Sequence, residues 1–331
     1  MRYRIGVFAA LAATLLANCG APSFANFTGL SIAKRDAASS FTIALNVGRL
    51  RRDPVPVLPA AAGADPIGRF TLLTYNVAGL PQLISPSAPR LNVPLMSPLL
   101  NHYDVALVQE DFWYHRELVQ GTSHAYRSEP MQPRSLVGDG LSVFSELAFE
   151  GAHHIRWLRC HGFVSGATDC LADKGFTFSE LSLAPGRNVH LYNLHADSGS
   201  GQLDIEARAD NFRQLARYIA DHSRQQAVIV AGDTNLRVSE TPGDAHTLET
   251  FIEAVGLQDA CRVCACPEEL IDRVLYRTTP QLELSVARWW QDPRFIDGRG
   301  QPLSDHPAVG VEIRWRSLHD DQLMAQLGGT P

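Results

Sequence analysis

The stretch Ala227-Val-Ile-Val-Ala-Gly-Asp-Thr-Asn235 decides how this chain is read. Its first four residues form a continuous apolar run, the pattern of a strand buried on both faces. It then closes on Gly232-Asp233-Thr234-Asn235, polar residues gathered at a strand end. Working outward, the same arrangement recurs. Phe70 to Tyr75 ends at Asn76, and Val105 to Val108 ends at Gln109-Glu110-Asp111. A strand from Val189 ends at Asn193-Leu194-His195, Ile271-Asp272-Arg273 opens another, and Ser304-Asp305-His306 precedes a last one from Val309 to Trp315. Any one of these is weak, because a carboxylate or amide at a strand end usually caps a turn. Six in order, on strands that can converge at one sheet end, point to a site.

The remaining pattern supplies a scaffold. Gly140 to Ser145 and Phe176 to Leu183 read as further strands, the latter turning at Pro185-Gly186. Asp204 to His222 carries Ile205, Phe212, Leu215 and Ile219 at helical spacing, and Thr247 to Val255 reads as a second helix. Strands with interspersed helices over residues 69–318 predict one α+β sandwich domain, followed by a tail over 319–331. Strand order is not legible.

Residues 1–25 read as an export signal. Arg2 and Arg4 precede an apolar run from Ile5 to Ala17, too short for a membrane span, and Ser23 and Ala25 are small residues at the −3 and −1 positions of a cut. Leu16-Ala17-Asn18-Cys19 resembles a lipoprotein box, but Asn18 is bulky for its position, so a secreted or periplasmic product is expected over a lipid-anchored one. Residues 26–68, with Arg49, Arg51, Arg52 and a Pro/Ala-rich stretch, read as a leader or linker. Loss of Arg2 and Arg4 takes the net charge from −6 to −8, which argues against a DNA-coating protein while leaving room for a local basic groove. At 45% hydrophobic and 19% charged residues the chain is of ordinary globular composition, and no later apolar run is long enough to span a bilayer. Export permits disulfides. Cys160 and Cys170 are the expected pair. Cys261, Cys264 and Cys266 allow one more pair and leave an odd thiol, with zinc as the competing reading; a matching second ligand pair is lacking.

The six clusters share one chemistry. Glu110, Asn76 and Asp305 offer hard oxygen ligands suited to Mg²⁺. Asp233 and Asn235 can orient a water and contact a phosphoryl oxygen. His306 is a candidate base whose tautomer Asp272 would hold, and His195 could donate to a phosphate as charge develops. A phosphate-binding P-loop and a serine-hydrolase elbow are both absent from the sequence.

Taken in order, Thr74-Tyr75-Asn76, Gln109-Glu110, Tyr192 to His195, Gly232 to Asn235, Ile271 to Arg273 and Ser304 to His306 resemble the endonuclease/exonuclease/phosphatase superfamily over residues 68–316. The resemblance implies a DNase-I-like four-layer α/β sandwich, two central mixed sheets flanked by helices, and metal-dependent cleavage of a phosphate ester. It implies metal-site roles for Asn76, Glu110 and Asp305, water activation by Asp233, phosphate stabilisation by Asn235 and His195, and a catalytic His306 oriented by Asp272 and Asp305. The cofactor implied is Mg²⁺, with Mn²⁺ or Co²⁺ as alternatives. Thr234 and Ala196 depart from the family's usual aromatic residue and leucine.

Three features resemble the neutral-sphingomyelinase-like branch. They are Asn76-Val-Ala-Gly-Leu-Pro81, the segment Asp169-Cys-Leu-Ala-Asp-Lys174-Gly175, and the pair Trp289-Trp290 ahead of Asp305-His306. The branch implies that Asp169 and Lys174 regulate or shape the site, against a surface salt bridge as the plainer reading. It also implies that Trp289 and Trp290 enter a membrane surface, against packing under a loop. The expected activity is a secreted phosphodiesterase acting on sphingomyelin or a related phospholipid, without an obligate protein partner. An extracellular Mg²⁺-dependent nuclease is the alternative. A degraded, non-catalytic relative would be expected to have lost Glu110 or His306, and both are present.

Overall fold

Strands buried on both faces need a layer on either side, and this chain builds two such sheets. The computed structural model describes residues 66–318 apart from 84, 86 and 163–168. In chain order its elements are β1 (Ile67–Asn76), α1 (Pro89–Leu100), β2 (Val105–Gln109), α2 (His115–Gln120), β3 (Tyr126–Arg127), β4 (Ser142–Ser145), β5 (Phe149–Arg156), β6 (Gly175–Ala184), β7 (Arg187–His195), α3 (Gln202–His222), β8 (Val228–Asp233), α4 (Pro242–Val255), β9 (Gln258–Asp259), α5 (Ala260–Val263), β10 (Asp272–Arg277), β11 (Leu282–Gln291) and β12 (Val309–Ser317). The export signal, the lipoprotein box, most of the leader and the tail lie outside the described residues.

One sheet runs β11-β12-β1-β2-β4-β3 and the other β5-β6-β7-β8-β10-β9. Each is mixed. The parallel pairs are β1–β2 and β7–β8, and each needs a crossover, supplied by α1 and α3. Alternation then sorts the side chains into layers. Phe70, Leu72, Val105 and Leu107 of the first sheet meet Val189, Leu191, Ile229, Ala231 and Val274 of the second in a core between the sheets. The opposite face of the first sheet, through Leu73, Tyr75, Ala106 and Val108, takes Val93, Met96 and Leu100 of α1 and Leu118 of α2. Tyr192, Leu194, Val228 and Val230 take Phe212, Leu215 and Ile219 of α3 with Leu248, Phe251 and Val255 of α4. The result is the expected four-layer sandwich, helices outside and two mixed sheets inside.

Some elements differ from the reading of the sequence. β1 starts at Ile67, so Ile67 and Gly68 belong to the sheet, opposite Arg316 and Trp315, rather than to a leader. Pro94 and Pro98 hid α1; both lie on its exposed side, where water can satisfy the carbonyls that a proline leaves unpaired. β11 went unread although Leu282, Leu284 and Val286 are buried in alternation with Glu283 and Ser285. Cys160–Cys170 is bonded as expected, with Cα atoms 5.3 Å apart. Cys261 pairs with Cys266. This is the one further pair expected among the three, so the zinc alternative falls, and no cysteine among the described residues is free. No helix among the described residues is long and apolar enough to cross a membrane.

The Cys160–Cys170 bridge closes a loop with a sequence separation of 10. Loop-closure entropy predicts that replacing both residues by serine lowers stability by about 2–3 kcal/mol. Urea unfolding followed by far-UV circular dichroism measures this directly.

Candidate active site

The two parallel strand pairs end at the same place. Asn76 lies in register with Gln109, and His195 with Asp233, while Asp272 opens β10 directly opposite Asp233. A buried polar seam holds the two sheets together at this end. Gln109 Nε2 donates to Asn193 Oδ1 at 2.7 Å, and Asn193 Nδ2 donates to the carbonyls of Val108 and Ser142 at 3.0 and 3.2 Å. The backbone is forced here as well. Glu110 and Asn235 hold φ of 57° and 51°, a left-handed conformation that costs a non-glycine residue about 1–3 kcal/mol. Gly232 has φ 146°, and a Cβ there would stand 2.0 Å from the Leu194 carbonyl oxygen, so only glycine lets β8 approach β7.

Asn76 is the hub. Its amide nitrogen donates to Glu110 Oε1 and to Asp233 Oδ2, both at 3.0 Å, and lies 3.4 Å from His306 Nε2. Its side-chain oxygen Oδ1 accepts from the backbone N–H of Ala78 at 2.9 Å. His306 donates Nδ1–H to Asp272 Oδ2 at 2.9 Å, which leaves Nε2 facing Asp233 Oδ2 at 3.8 Å. His195 Nε2 stands 3.4 Å from the same Asp233 oxygen and 3.9 Å from Glu110. Asn235 donates its backbone N–H to Asp233 Oδ1 and its side-chain amide to the Ala196 carbonyl. Ser304 pins the last loop by donating to the Asn76 carbonyl at 2.7 Å.

Burial and charge divide the two histidines. Burial drives His195 well below the ordinary imidazole value, and the positive charges of Lys174 and His306 add to this, so it is neutral. Burial also acts to lower His306, but its hydrogen bond to Asp272 and the charges of Asp233, Asp272 and Asp305 outweigh it and hold the pKa above the ordinary value. Burial raises Glu110, against the pull of Lys174 and the Asn76 hydrogen bond.

Asp169 and Lys174 form a buried ion pair, not the surface salt bridge of the plainer reading. Lys174 Nζ lies 2.5 Å from Asp169 Oδ1, with both side chains under a tenth exposed, and Nζ also donates to the Ala196 carbonyl. Asp169 in turn accepts from the Ser198 backbone and hydroxyl. The pair therefore braces the loop after His195. Two further supports went unread. Asp197 is fully buried, with Oδ1 unpartnered, and burial pushes it up to about 7. Arg208 donates from Nε and Nη2 to both oxygens of Asp244 at 2.9 Å, and from Nη1 to the carbonyls of Asp197, Ser198 and Gly199. Asp244 also accepts from the Arg237 backbone, two residues past Asn235, so the pair ties together the loops after β7 and β8. The signal for Arg208 was present: it interrupts the apolar stripe of α3.

Two expectations need correction. Trp289 and Trp290 are not an exposed edge. Successive strand residues face opposite ways, and in β11 Trp289 packs against the core between the sheets while Trp290 stacks on Tyr103 at 5.9 Å under the helix layer. Asp305 is exposed and accepts from Ser304 rather than joining Glu110. The carboxylate beside Glu110 is Asp233, both bound to one Asn76 nitrogen, whose oxygen is turned away toward Ala78. The donor chemistry still fits a divalent cation. Asp233, Asp272 and His306 present ligand atoms within 4.8 Å of one another, Asp272 Oδ1 is buried without a partner, and Glu110 adds a third carboxylate. Carboxylates crowded in this way repel unless a cation offsets them.

Residues 99–262 match the model described as Endonuclease/Exonuclease/phosphatase family 2. The chain belongs to the endonuclease/exonuclease/phosphatase superfamily. Within it, the chain is similar to a protein named sphingomyelinase from Mycobacterium tuberculosis (strain ATCC 25618 / H37Rv), 35% identical over 267 residues. That match covers 73% of this chain and 52% of the relative, so the chain spans about half the relative's length. Among solved structures it resembles Staphylococcus aureus beta toxin with bound magnesium ions, at TM-score 0.53 and 14% identity, over 73% of this chain and 98% of that one. It also resembles D. rerio TDP2 complexed with a single-strand DNA product, at TM-score 0.55 and 16% identity, over 74% and 98%. These two likenesses speak to fold alone.

Because both side chains of the Arg208–Asp244 pair are 0% exposed, Arg208→Met leaves a buried carboxylate uncompensated. The expected loss is about 3–5 kcal/mol. Chemical denaturation of the variant beside the parent checks it.

Proposed function

We propose that this chain is a divalent-metal-dependent phosphodiesterase that cleaves a phospholipid head group by water attack on phosphorus, with sphingomyelin as substrate and Mg²⁺ as the ion. The observation that carries the chemistry is the convergence of Glu110, Asp233, His195 and His306 around the Asn76 amide. The choice of substrate rests on the likeness to the mycobacterial sphingomyelinase.

The roles follow from the geometry. Glu110 would hold the ion, with Asp233 adjoining it; when bound, the ion supplies positive charge against the phosphate oxygens. Asp272 fixes Nδ1 of His306 as a protonated nitrogen, so Nε2 is the atom that would take a proton from the attacking water once a bound cation offsets the carboxylate charge that raises the His306 pKa. Asp233, 3.8 Å from Nε2, orients that water. Asn235 and neutral His195 donate to the phosphoryl oxygens as negative charge grows on them, and Lys174 lends a fixed positive charge from below. Asp305 acts on His306 through its field, since it makes no contact in the cluster itself. Residues 1–25 would export the protein and be removed, leaving 69–318 as the catalytic domain.

The test uses purified protein on sphingomyelin dispersed in detergent and on plasmid DNA, each with Mg²⁺ or with chelator. Metal-dependent release of phosphocholine is expected, and DNA nicking with the same requirements would overturn the choice of substrate. His306→Ala should lower turnover by about 10²–10⁴-fold with the fold intact by circular dichroism. Glu110→Gln should shift the Mg²⁺ concentration for half-maximal rate upward. Unchanged turnover in His306→Ala would remove the central assignment.

A further inference from the structure

Among the exposed large apolar side chains, three gather beside the site. Leu83 is 97% exposed, Leu136 73% and Trp113 59%, and all three sit on loops at the site end of the first sheet. Those loops touch. Gln82 donates its backbone N–H to the Tyr114 hydroxyl at 3.1 Å, and the Trp113 backbone N–H donates to the Gly79 carbonyl at 3.2 Å. Trp113 and Leu136 line one cleft of about 270 Å³ with Met131 and Val137. The patch begins three residues beyond Glu110, so it continues the rim of the site.

We propose that Leu83, Trp113 and Leu136 form the surface by which this protein docks on a phospholipid bilayer, presenting the site mouth to the head groups. Singly exposed leucines need no explanation, but an exposed tryptophan grouped with leucines beside a site does. Tryptophan favours the boundary between head groups and acyl chains, where its ring is half in apolar surroundings. Charge around the patch matches a phosphate layer. Arg90 and Arg116 are exposed in the first turns of α1 and α2, which follow the Leu83 and Trp113 loops, and Arg134 is exposed beside Leu136; of the neighbouring acids Glu117 is half-buried and Asp111 buried. Arg90 lies beside Leu83, its backbone N–H donating to Gln82 at 3.3 Å. A bilayer supplies an apolar layer under a sheet of phosphates, which this patch mirrors. Trp289 and Trp290, packed in the fold, are not available for this task. The inference rests on the lipid reading of the site but concerns a different surface from its reacting groups.

The experiment is sedimentation of the full chain with sucrose-loaded vesicles of phosphatidylcholine, with and without sphingomyelin, alongside tryptophan emission. The expected result is binding to both vesicle types with a blue shift. Trp113→Ser with Leu136→Ser should weaken binding at least tenfold, Trp113→Phe should restore most of it, and thermal unfolding of each variant should match the parent. Parental binding by the double serine variant would overturn the proposal. So would an emission shift retained in Trp113→Phe, or self-association through the patch in place of vesicle binding. Hydrolysis of detergent-dispersed sphingomyelin is read separately. Vesicle binding without hydrolysis sinks the substrate reading and keeps the surface; hydrolysis without vesicle binding sinks the surface and keeps the substrate.

Discussion

Everything at the site depends on two sheets being held in one register at one end. An apolar core between sheets tolerates sliding, because burial is non-directional. The Gln109–Asn193 hydrogen bond and the Asn193 contacts to the carbonyls of Val108 and Ser142 do not. They are buried, so breaking any of them strands a polar group, and a shift of one residue would break all of them. One strand-end away, the same fixed register lets Asn76 of the first sheet donate to Asp233 of the second. The reacting groups inherit their precision from that seam.

The fold spends stability to assemble this cluster. Glu110 and Asn235 sit in left-handed backbone, and two carboxylates crowd one amide. Local strain and like charge persist where surrounding structure over-determines them. Here the over-determination is visible behind the site. Asp169–Lys174 and Arg208–Asp244 are buried ion pairs that reach the loops after β7 and β8 by binding their carbonyls and backbone N–H groups. Such pairs add little net stability, but they fix geometry.

Much of this was legible before any coordinates. The strands that build the two centres announce themselves because they are buried on both faces, as in Val105 to Val108 and Val228 to Val230. Their polar ends named Asn76, Glu110, His195, Asp233, Asn235, Asp272 and His306, and the fold gathers all seven. What failed has physical causes. α1 carries two prolines on its wet face, where their cost is small. The branch resemblance implies an exposed Trp289-Trp290 edge, but pairing of β11 with β12 leaves the two half-buried on opposite faces. The chemistry of its carboxylate and the family resemblance group Asp305 with the metal residues, whereas the turn that places His306 inward leaves Asp305 outward. Asp197 acts through tertiary contacts that no local pattern encodes, and Arg208, although it stands out in the apolar stripe of α3, has partners on distant loops that the stripe does not name.

The central claim is that this seam assembles a site where water attacks phosphorus. The most direct measurement is hydrolysis of sphingomyelin in ¹⁸O-enriched water, with mass analysis of both products after a single turnover. One ¹⁸O atom in phosphocholine and none in ceramide is the result required by attack at phosphorus. Label in the ceramide hydroxyl would mean cleavage of the carbon–oxygen bond, and would contradict the account.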